Sequence, residues 1–147
     1  MLNGKVAIIK VGADSQVEMK EKKDRVEDAI YATKAALQEG IVAGGGVALL
    51  DASFSIAPEN EYEEILLEAI KAPYATILDN AALAHYESKK RGFGIDVVNN
   101  KEVDMVKAGI IDPVLVTKTA LKNAVSVVNT IFSADCVISN VRINASN

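Results

Sequence analysis

The segment 17–49 constrains this chain most, because a long charged stretch leads through three consecutive glycines into a second apolar stretch. From about Gln16 to Glu39 the sequence predicts one helix, in which Val26, Ile30 and Leu37 fall along a single stripe of 3.6-residue period. Gly40 is the expected C-terminal end of that helix. A buried carboxylate within such a helix, close to a glycine turn at the start of another helix, suits the binding of a phosphate and the activation of water beside it.

The rest of the chain predicts short helices with a strand at each end. Strands are expected at 6–11 (VAIIKV) and 136–143, and a turn or hairpin is expected at 91–100. Helices are expected after a loop within 42–52, across 61–71, across 74–90 in one or two pieces, and after Pro113 with Asp112 as N-cap. An apolar stripe follows that last start, at Leu121, Ala124, Val125, Val128 and Phe132. The predicted fold class is therefore mainly α with short β-strands.

Composition excludes several classes of function. The net charge is −4 and basic residues alternate with acidic ones, so no basic stripe is available for a nucleic acid. Cys136 is the only cysteine, which excludes an internal disulfide and a two-cysteine metal site. Neither a secretory leader nor an apolar run of about 18 residues is present, so we expect a cytoplasmic protein without a membrane span. We also predict no metal ligands.

Asp28 is the first candidate for catalysis. At about 100° per residue it points away from the stripe of Val26 and Ile30, and the small residues Ala32 and Ala35 share its face. A carboxylate so placed could orient the attacking water in phosphoryl transfer. Periodicity alone favours the simpler interpretation, a solvated aspartate on a charged helix.

The glycines Gly44, Gly45 and Gly46 are the second candidate. They permit positive φ and close approach of the backbone to an anion, and the next helix would direct its free N–H groups to the same place. A flexible connection or a tight helix crossing is the commoner use of such a run, and the GxxxxGK[ST] pattern of a P-loop is missing.

Five segments resemble the group I chaperonins, the GroEL type, in order and spacing. They are VAIIKVGA at 6–13, VEMKEKKDRVEDA at 17–29, EGIVAGGGVAL at 39–49, GIIDPVLVTKTAL at 109–121 and ADCVISNV at 134–141. Residues 54–100 match only in outline. The resemblance implies an equatorial-domain-like helical bundle plus part of the intermediate domain. Residues 1–40 would be the returning segment of the intermediate domain, and 41–147 the C-terminal half of the equatorial domain.

The resemblance also implies site residues and cofactors. Asp28 corresponds to the aspartate required for ATP hydrolysis, Gly44 and Gly45 approach the nucleotide, and Asp112 contacts its sugar or base. Ile95, Asp96 and Val97 fall where adenine contacts are made, although GFGIDVV departs from the family's usual GYNA or GYDA. ATP and Mg2+ are the implied cofactors. The family's phosphate loop, magnesium-binding segment and apical helices precede the matched part, so we expect the isolated chain to bind and hydrolyse ATP poorly.

Two functions remain open on this basis. The first is a fragment or split part of an ATP-dependent chaperonin that folds other proteins within a ring. Its partners would be other chaperonin subunits or the missing N-terminal half, together with unfolded substrates and a co-chaperonin. The alternative is a non-enzymatic assembly module derived from a chaperonin equatorial domain.

Overall fold

The computed structural model describes residues 6–88, 90–136 and 138. Its helices are α1 (Gln16–Glu39), α2 (Val47–Ser55), α3 (Glu61–Ala69), α4 (Ala72–Asn80) and α5 (Val114–Phe132). Its strands are β1 (Ile41–Ala43), β2 (Phe93–Asp96), β3 (Lys101–Asp104) and β4 (Ile111–Pro113). The predicted fold class, mainly α with short strands, is confirmed.

Helix α1 begins and ends where its sequence predicts. The Ser15 hydroxyl accepts a hydrogen bond from the Glu18 backbone N–H at 3.2 Å, and Glu18 places a negative charge in the first turn. At the other end Gly40 takes φ of 85° and its N–H donates to the Ala36 carbonyl at 2.8 Å. The predicted apolar stripe is wrong, because Leu37 is 82% exposed and Ala35 is the buried position.

Strands β1 and β4 form a two-stranded antiparallel ladder that joins the segment after α1 to the segment before α5. Ile41 pairs with Pro113, Val42 with Asp112 and Ala43 with Ile111. Helix α1 contacts both β4 and α5, and Lys118 of α5 donates to Glu39 at the end of α1 at 2.7 Å. The long helices α1 and α5 are therefore joined at this ladder.

A hairpin of β2 paired with β3 begins within 91–100, where a turn or hairpin is predicted, but its second strand lies beyond that range. Its register runs from Phe93 opposite Asp104 to Asp96 opposite Lys101. A four-residue turn at 97–100 closes it, with Asn100 at φ of 49°. Asparagine tolerates this left-handed conformation better than most residues, which suits it to the last position of the turn.

The core lies between α2, α4 and the hairpin. It comprises Ala43, Val47, Leu50, Tyr74, Leu78 and Met105. Val47 is completely buried and Leu78 is 1% exposed. The first turn of α2 is therefore held firmly, whereas α1 and α5 bury few side chains.

Two terminal strand predictions are not supported. Residues 6–11 form no strand, and Val6 and Ile8 are both more than 80% exposed. A β-strand needs a neighbour for its backbone N–H and C=O groups, and within the described part of the chain nothing pairs with this segment. Most of the other predicted strand, 136–143, falls outside the described residues, and Cys136 and Ile138 are not in a strand.

The predicted helix across 74–90 is too long. Helix α4 ends at Asn80 in a Schellman motif, in which Ala82 takes φ of 53°. The N–H groups of Ala82 and Leu83 donate back to the carbonyls of Asp79 and Leu78 at 2.9 and 3.0 Å. Glycine usually takes this left-handed position, so an alanine there gives no sequence signal for the end of the helix.

The predicted N-cap role of Asp112 is also wrong. Pro113 itself is the N-cap of α5, and no side chain caps that helix. Asp112 lies one residue too early and belongs to β4, where its backbone pairs with Val42. Among the described residues, none of the helices is long and apolar enough to cross a bilayer.

Candidate functional site

The β1–β4 ladder places Asp112 opposite Val42, two residues before Gly44. The ladder continues into the glycine turn, because the Gly44 N–H donates to the Ile110 carbonyl at 2.9 Å. A β-carbon at Gly44 would lie only 3.0 Å from the Ile111 backbone nitrogen. Because Gly44 has no side chain, its segment and the segment of Ile111 approach closely, near the half-buried Asp112. The structure brings together two candidates that are far apart in sequence.

The other two glycines form the start of α2. Gly45 and Gly46 have φ of 64° and 80°, and Gly46 is the N-cap residue. No side chain caps this helix, and its first turn carries no acidic residue. The first-turn N–H groups and the positive end of the helix dipole are therefore not neutralised by a side chain of the helix itself. This arrangement suits an anionic group, while the N–H groups of Gly44 and Val47 are already used within the fold, by the carbonyls of Ile110 and Gly44.

The hairpin lies against the same turn. A β-carbon at Gly94 would come within 2.5 Å of Val47 Cγ2 and 3.3 Å of Met105 Sδ. The end of the Met105 side chain lies against Gly45, where a β-carbon would lie 3.0 Å from Met105 Cε. Met105 therefore separates the glycine turn from β2, and Ile95 is half-buried against this core.

Asp96 and Val97 lie at the far end of the hairpin. The Asp96 carboxylate accepts hydrogen bonds from the Val98 backbone N–H at 3.0 Å and from Asn99 Nδ2 at 2.6 Å. The Asn99 side chain, and next the Val98 N–H, lower the pKa of Asp96 below its ordinary value. Val97 is exposed. The Asp96 carboxylate thus closes the turn, and a ligand contact at this position would fall to the backbone.

Asp28 is not part of this cluster. Its side chain is exposed, as periodicity alone favours, and not buried as the opening hypothesis of a buried carboxylate requires. It precedes Gly40 by twelve residues, which corresponds to about 18 Å of helix rise. The structure therefore joins Gly44, Gly45, Asp112 and Ile95, and leaves Asp28 at a distance along α1.

Sequence reasoning missed two carboxylates that hold the hairpin. Asp51 of α2 accepts a hydrogen bond from the Gly92 backbone N–H at 2.7 Å. Glu102 of β3 accepts from the Tyr86 hydroxyl at 3.1 Å and from the Ser88 hydroxyl at 2.5 Å. Since both contacts connect segments far apart in the chain, no local pattern could have identified them.

The site fits phosphate better than it fits a metal ion. Uncapped N–H groups at α2 and backbone freedom at Gly45 are suited to phosphate oxygens. In the part of the chain that the structure describes, no three side chains of His, Cys, Asp or Glu are grouped as metal ligands. A magnesium ion would therefore take its ligands from the nucleotide and from residues outside this cluster.

Comparison with known proteins supports the resemblance to chaperonins at the level of the family. The model of the TCP-1/cpn60 chaperonin family matches residues 1–142. Among solved structures, the crystal structure of a group III chaperonin in the open state matches with a TM-score of 0.75 at 24% sequence identity. That match covers 87% of this chain and 30% of the other, so this chain spans less than a third of that protein's length.

The structural match shows a shared fold, and the family match extends over nearly the whole sequence. This chain belongs to the TCP-1/cpn60 chaperonin family.

Proposed function

We propose that this chain is the C-terminal part of a group I, GroEL-type chaperonin subunit, which hydrolyses ATP in a ring and assists the folding of other proteins. Residues 1–40 are then the returning segment of the intermediate domain, and 41–147 the C-terminal half of the equatorial domain. The observation that carries the proposal is that the strand pairing of Asp112 with Val42 continues through Gly44 to the N-terminus of α2, which no side chain caps.

In this proposal, different residues contact the phosphates, the sugar or base, and the adenine of the nucleotide. Gly44 and Gly45 approach the phosphates, with the first-turn N–H groups of α2 as donors. Asp112 contacts the sugar or base from the neighbouring strand. Residues Ile95, Asp96 and Val97 contact adenine, with Ile95 supplying the apolar surface and Asp96 contributing through its backbone, since its carboxylate is engaged in the turn. When bound, Mg2+ supplies charge neutralisation for the phosphates.

Asp28 is the catalytic residue in this proposal and orients the attacking water. It reaches the phosphates only if α1 moves. Gly40, which joins α1 to β1, has φ of 85° and open space where a β-carbon would lie, so no side chain obstructs a rotation there. The rotation would break the hydrogen bonds from the Gly40 N–H to the Ala36 carbonyl and from the Val114 N–H to the Gly40 carbonyl. At about 18 Å from Gly40, a rotation of about 30° moves a residue by about 9 Å. Binding of nucleotide would thereby be coupled to movement of the intermediate domain.

The experiment is reassembly with the N-terminal part of the subunit, followed by measurement of ATP hydrolysis. Asp28→Ala should lower kcat by a factor of about 100 or more with little effect on KM, because it removes the group that positions water. Asp112→Ala should mainly raise KM. The matched control is Asp24→Ala, another exposed aspartate one turn earlier in α1. An unchanged rate in Asp28→Ala, or no ATPase activity after reassembly, contradicts the proposal.

A second candidate function is a non-enzymatic assembly module. It is favoured by large exposed apolar side chains on both long helices, with Phe132 and Leu37 each more than 80% exposed. Its partners would be other chaperonin subunits. The native mass by light scattering, with and without ATP and Mg2+, separates the two candidates. A mass that is indifferent to nucleotide, even after the N-terminal part is added, favours the module.

Assembly into a chaperonin ring, as proposed, implies further partners. Unfolded proteins would be the substrates and a co-chaperonin the lid, each bound by parts of the subunit outside this chain. The compartment we propose is the cytoplasm.

A further inference from the structure

One face of α2 lies along the beginning of the hairpin and contacts it at two points. Val47 packs against Gly94, where a β-carbon would come within 2.5 Å of Val47 Cγ2. One turn later, Asp51 accepts the hydrogen bond from the Gly92 N–H at 2.7 Å. The first contact is apolar and completely buried at Val47, and the second is charged and half-buried.

The spacings of the two elements match. Val47 and Asp51 are four residues apart on the helix, which corresponds to about 6.0 Å of rise. Gly94 lies in β2 and Gly92 lies two residues earlier, in the turn that leads into β2, so the two are at most about 6.6 Å apart along the chain. The helix and the strand therefore run in opposite directions with their contact points in register. A shift of the hairpin by one residue would lose both contacts.

Gly92 is also held from the other strand. Its carbonyl accepts a hydrogen bond from the Met105 N–H at 2.9 Å, and its φ is 74°. Both backbone groups of Gly92 are thus used, one by α2 and one by the residue that follows β3. Met105 is the side chain that touches Gly45. The base of the hairpin and the glycine turn are consequently parts of one contact network.

We propose that Asp51 is a positioning residue that fixes the hairpin on α2 and so sets the distance between Ile95 and the glycine turn. This inference rests on the proposed function, in which the turn receives the phosphates and the hairpin receives adenine. A nucleotide must reach both at once, and α2 together with Met105 connects them within the described residues. Asp51 acts through the hairpin and does not itself touch nucleotide.

The first test uses the full chain without nucleotide. Hydrogen exchange is measured at the Gly92 amide in the parent protein, Asp51→Asn and Asp51→Ala. Because a hydrogen bond to a charged acceptor is lost, exchange at Gly92 should accelerate about tenfold in Asp51→Ala and less in Asp51→Asn, which keeps a neutral acceptor. The Gly44 amide, bonded to Ile110 outside this contact, should keep its rate. Asp79→Ala, an exposed aspartate on α4, is the control.

Exchange at Gly92 that stays within about twofold of the parent in Asp51→Ala would overturn the positioning role. Equal acceleration at Gly92 and Gly44 would also overturn it, because the substitution would then have destabilised the whole fold.

The second test uses the chain reassembled with the N-terminal part of the subunit. Asp51→Ala should raise KM for ATP at least about fivefold with kcat little changed, and Asp51→Asn should restore part of the loss. Inhibition by adenosine should weaken, whereas inhibition by tripolyphosphate, which reaches only the phosphate side, should not change. Equal weakening of both inhibitors would contradict the proposal. If the parent protein shows no ATPase activity, the proposed function fails, while the exchange measurement still decides the role of Asp51.

Discussion

Gly94 lies so close to Val47 that a β-carbon on the glycine would come within 2.5 Å of Val47 Cγ2. Val47 is β-branched and completely buried, so its side chain has little freedom to move away. Gly94→Ala should therefore lower the free energy of unfolding by about 2 kcal/mol through overpacking. Urea denaturation measures this loss.

The same pair predicts a rescue. Val47→Ala alone should cost about 2 kcal/mol because it leaves a cavity, and the added methyl of Gly94→Ala should fill part of that space. The double variant should thus be more stable than the sum of the two changes by about 1 kcal/mol or more. Gly12→Ala, where a β-carbon would meet nothing within 4 Å, is the control and should be nearly neutral. Strict additivity of the two substitutions would show that the close contact is absent.

The bounds of α1 could be predicted because the signals are local. Ser15 is a good N-cap three residues before Glu18, and Gly40 is a good C-terminal residue. The end of α4 could not be predicted, since Ala82 occupies a conformation that normally requires glycine. Asp112 before Pro113 is compatible with an N-cap or with the end of a strand, and only the pairing with Val42 decides between them.

The site shows the same division. Gly44 and Asp112 were selected by resemblance, and their proximity comes from a strand pairing that no local pattern encodes. Asp51 was missed because its partner is a backbone N–H rather than a side chain, and because an aspartate within a helix is an ordinary residue. The predicted stripe through Leu37 was wrong since α1 packs through alanines, whose small size carries little hydrophobic signal.

Substitution by alanine should lower the free energy of unfolding by different amounts at Gly46 and at Gly40. Both have positive φ, at 80° and 85°, so alanine is strained at either position by about 1 kcal/mol. At Gly46 a β-carbon would also lie 2.7 Å from the Tyr74 backbone nitrogen, whereas at Gly40 nothing lies within 4 Å. Gly46→Ala should therefore be more destabilising than Gly40→Ala by about 2 kcal/mol. Equal losses in urea denaturation would contradict the tight packing of α4 on the glycine turn.

Protonation of Asp96 at low pH should loosen the turn of the hairpin. Its pKa lies below the ordinary value of 3.8 because the Asn99 side chain and the Val98 N–H favour the charged form. A depressed pKa in the folded state means that this stabilisation is present above pH 3.8 and is lost as the pH falls through the lower folded value. Exchange or chemical shifts at the Val98 amide should report loosening of the turn only as the pH falls below 3.8.

Asp96→Asn should remove most of that acid response, since an amide does not titrate. The control is Asp24→Asn on the exposed surface of α1, which should leave the behaviour of the hairpin unchanged. An acid transition at Val98 that persists in Asp96→Asn would assign it to another group.

Ionisation of Tyr74 at high pH should lower the stability of the fold. Burial is the main cause that raises its pKa above the ordinary 10.0, and the Ile95 backbone N–H acts in the opposite direction. A raised pKa in the folded state means that the stabilisation is complete below pH 10 and is lost as the pH rises through the folded value. The Tyr74 hydroxyl donates to the Tyr86 carbonyl at 2.7 Å, so ionisation also removes the donor that holds the 83–88 segment.

Unfolding in urea at pH 8 and at pH 11 tests this response. The parent chain should lose more stability between the two values than Tyr74→Phe, which keeps the buried ring and has no proton to release. At pH 8 Tyr74→Phe should be less stable by about 1 kcal/mol, because the Tyr86 carbonyl loses its donor. Tyr62→Phe, on a ring that is 82% exposed, is the matched control and should behave as the parent at both pH values. If Tyr74→Phe and the parent lose equal stability, the alkaline response belongs to other groups, and the Tyr74 hydroxyl contributes only its hydrogen bond.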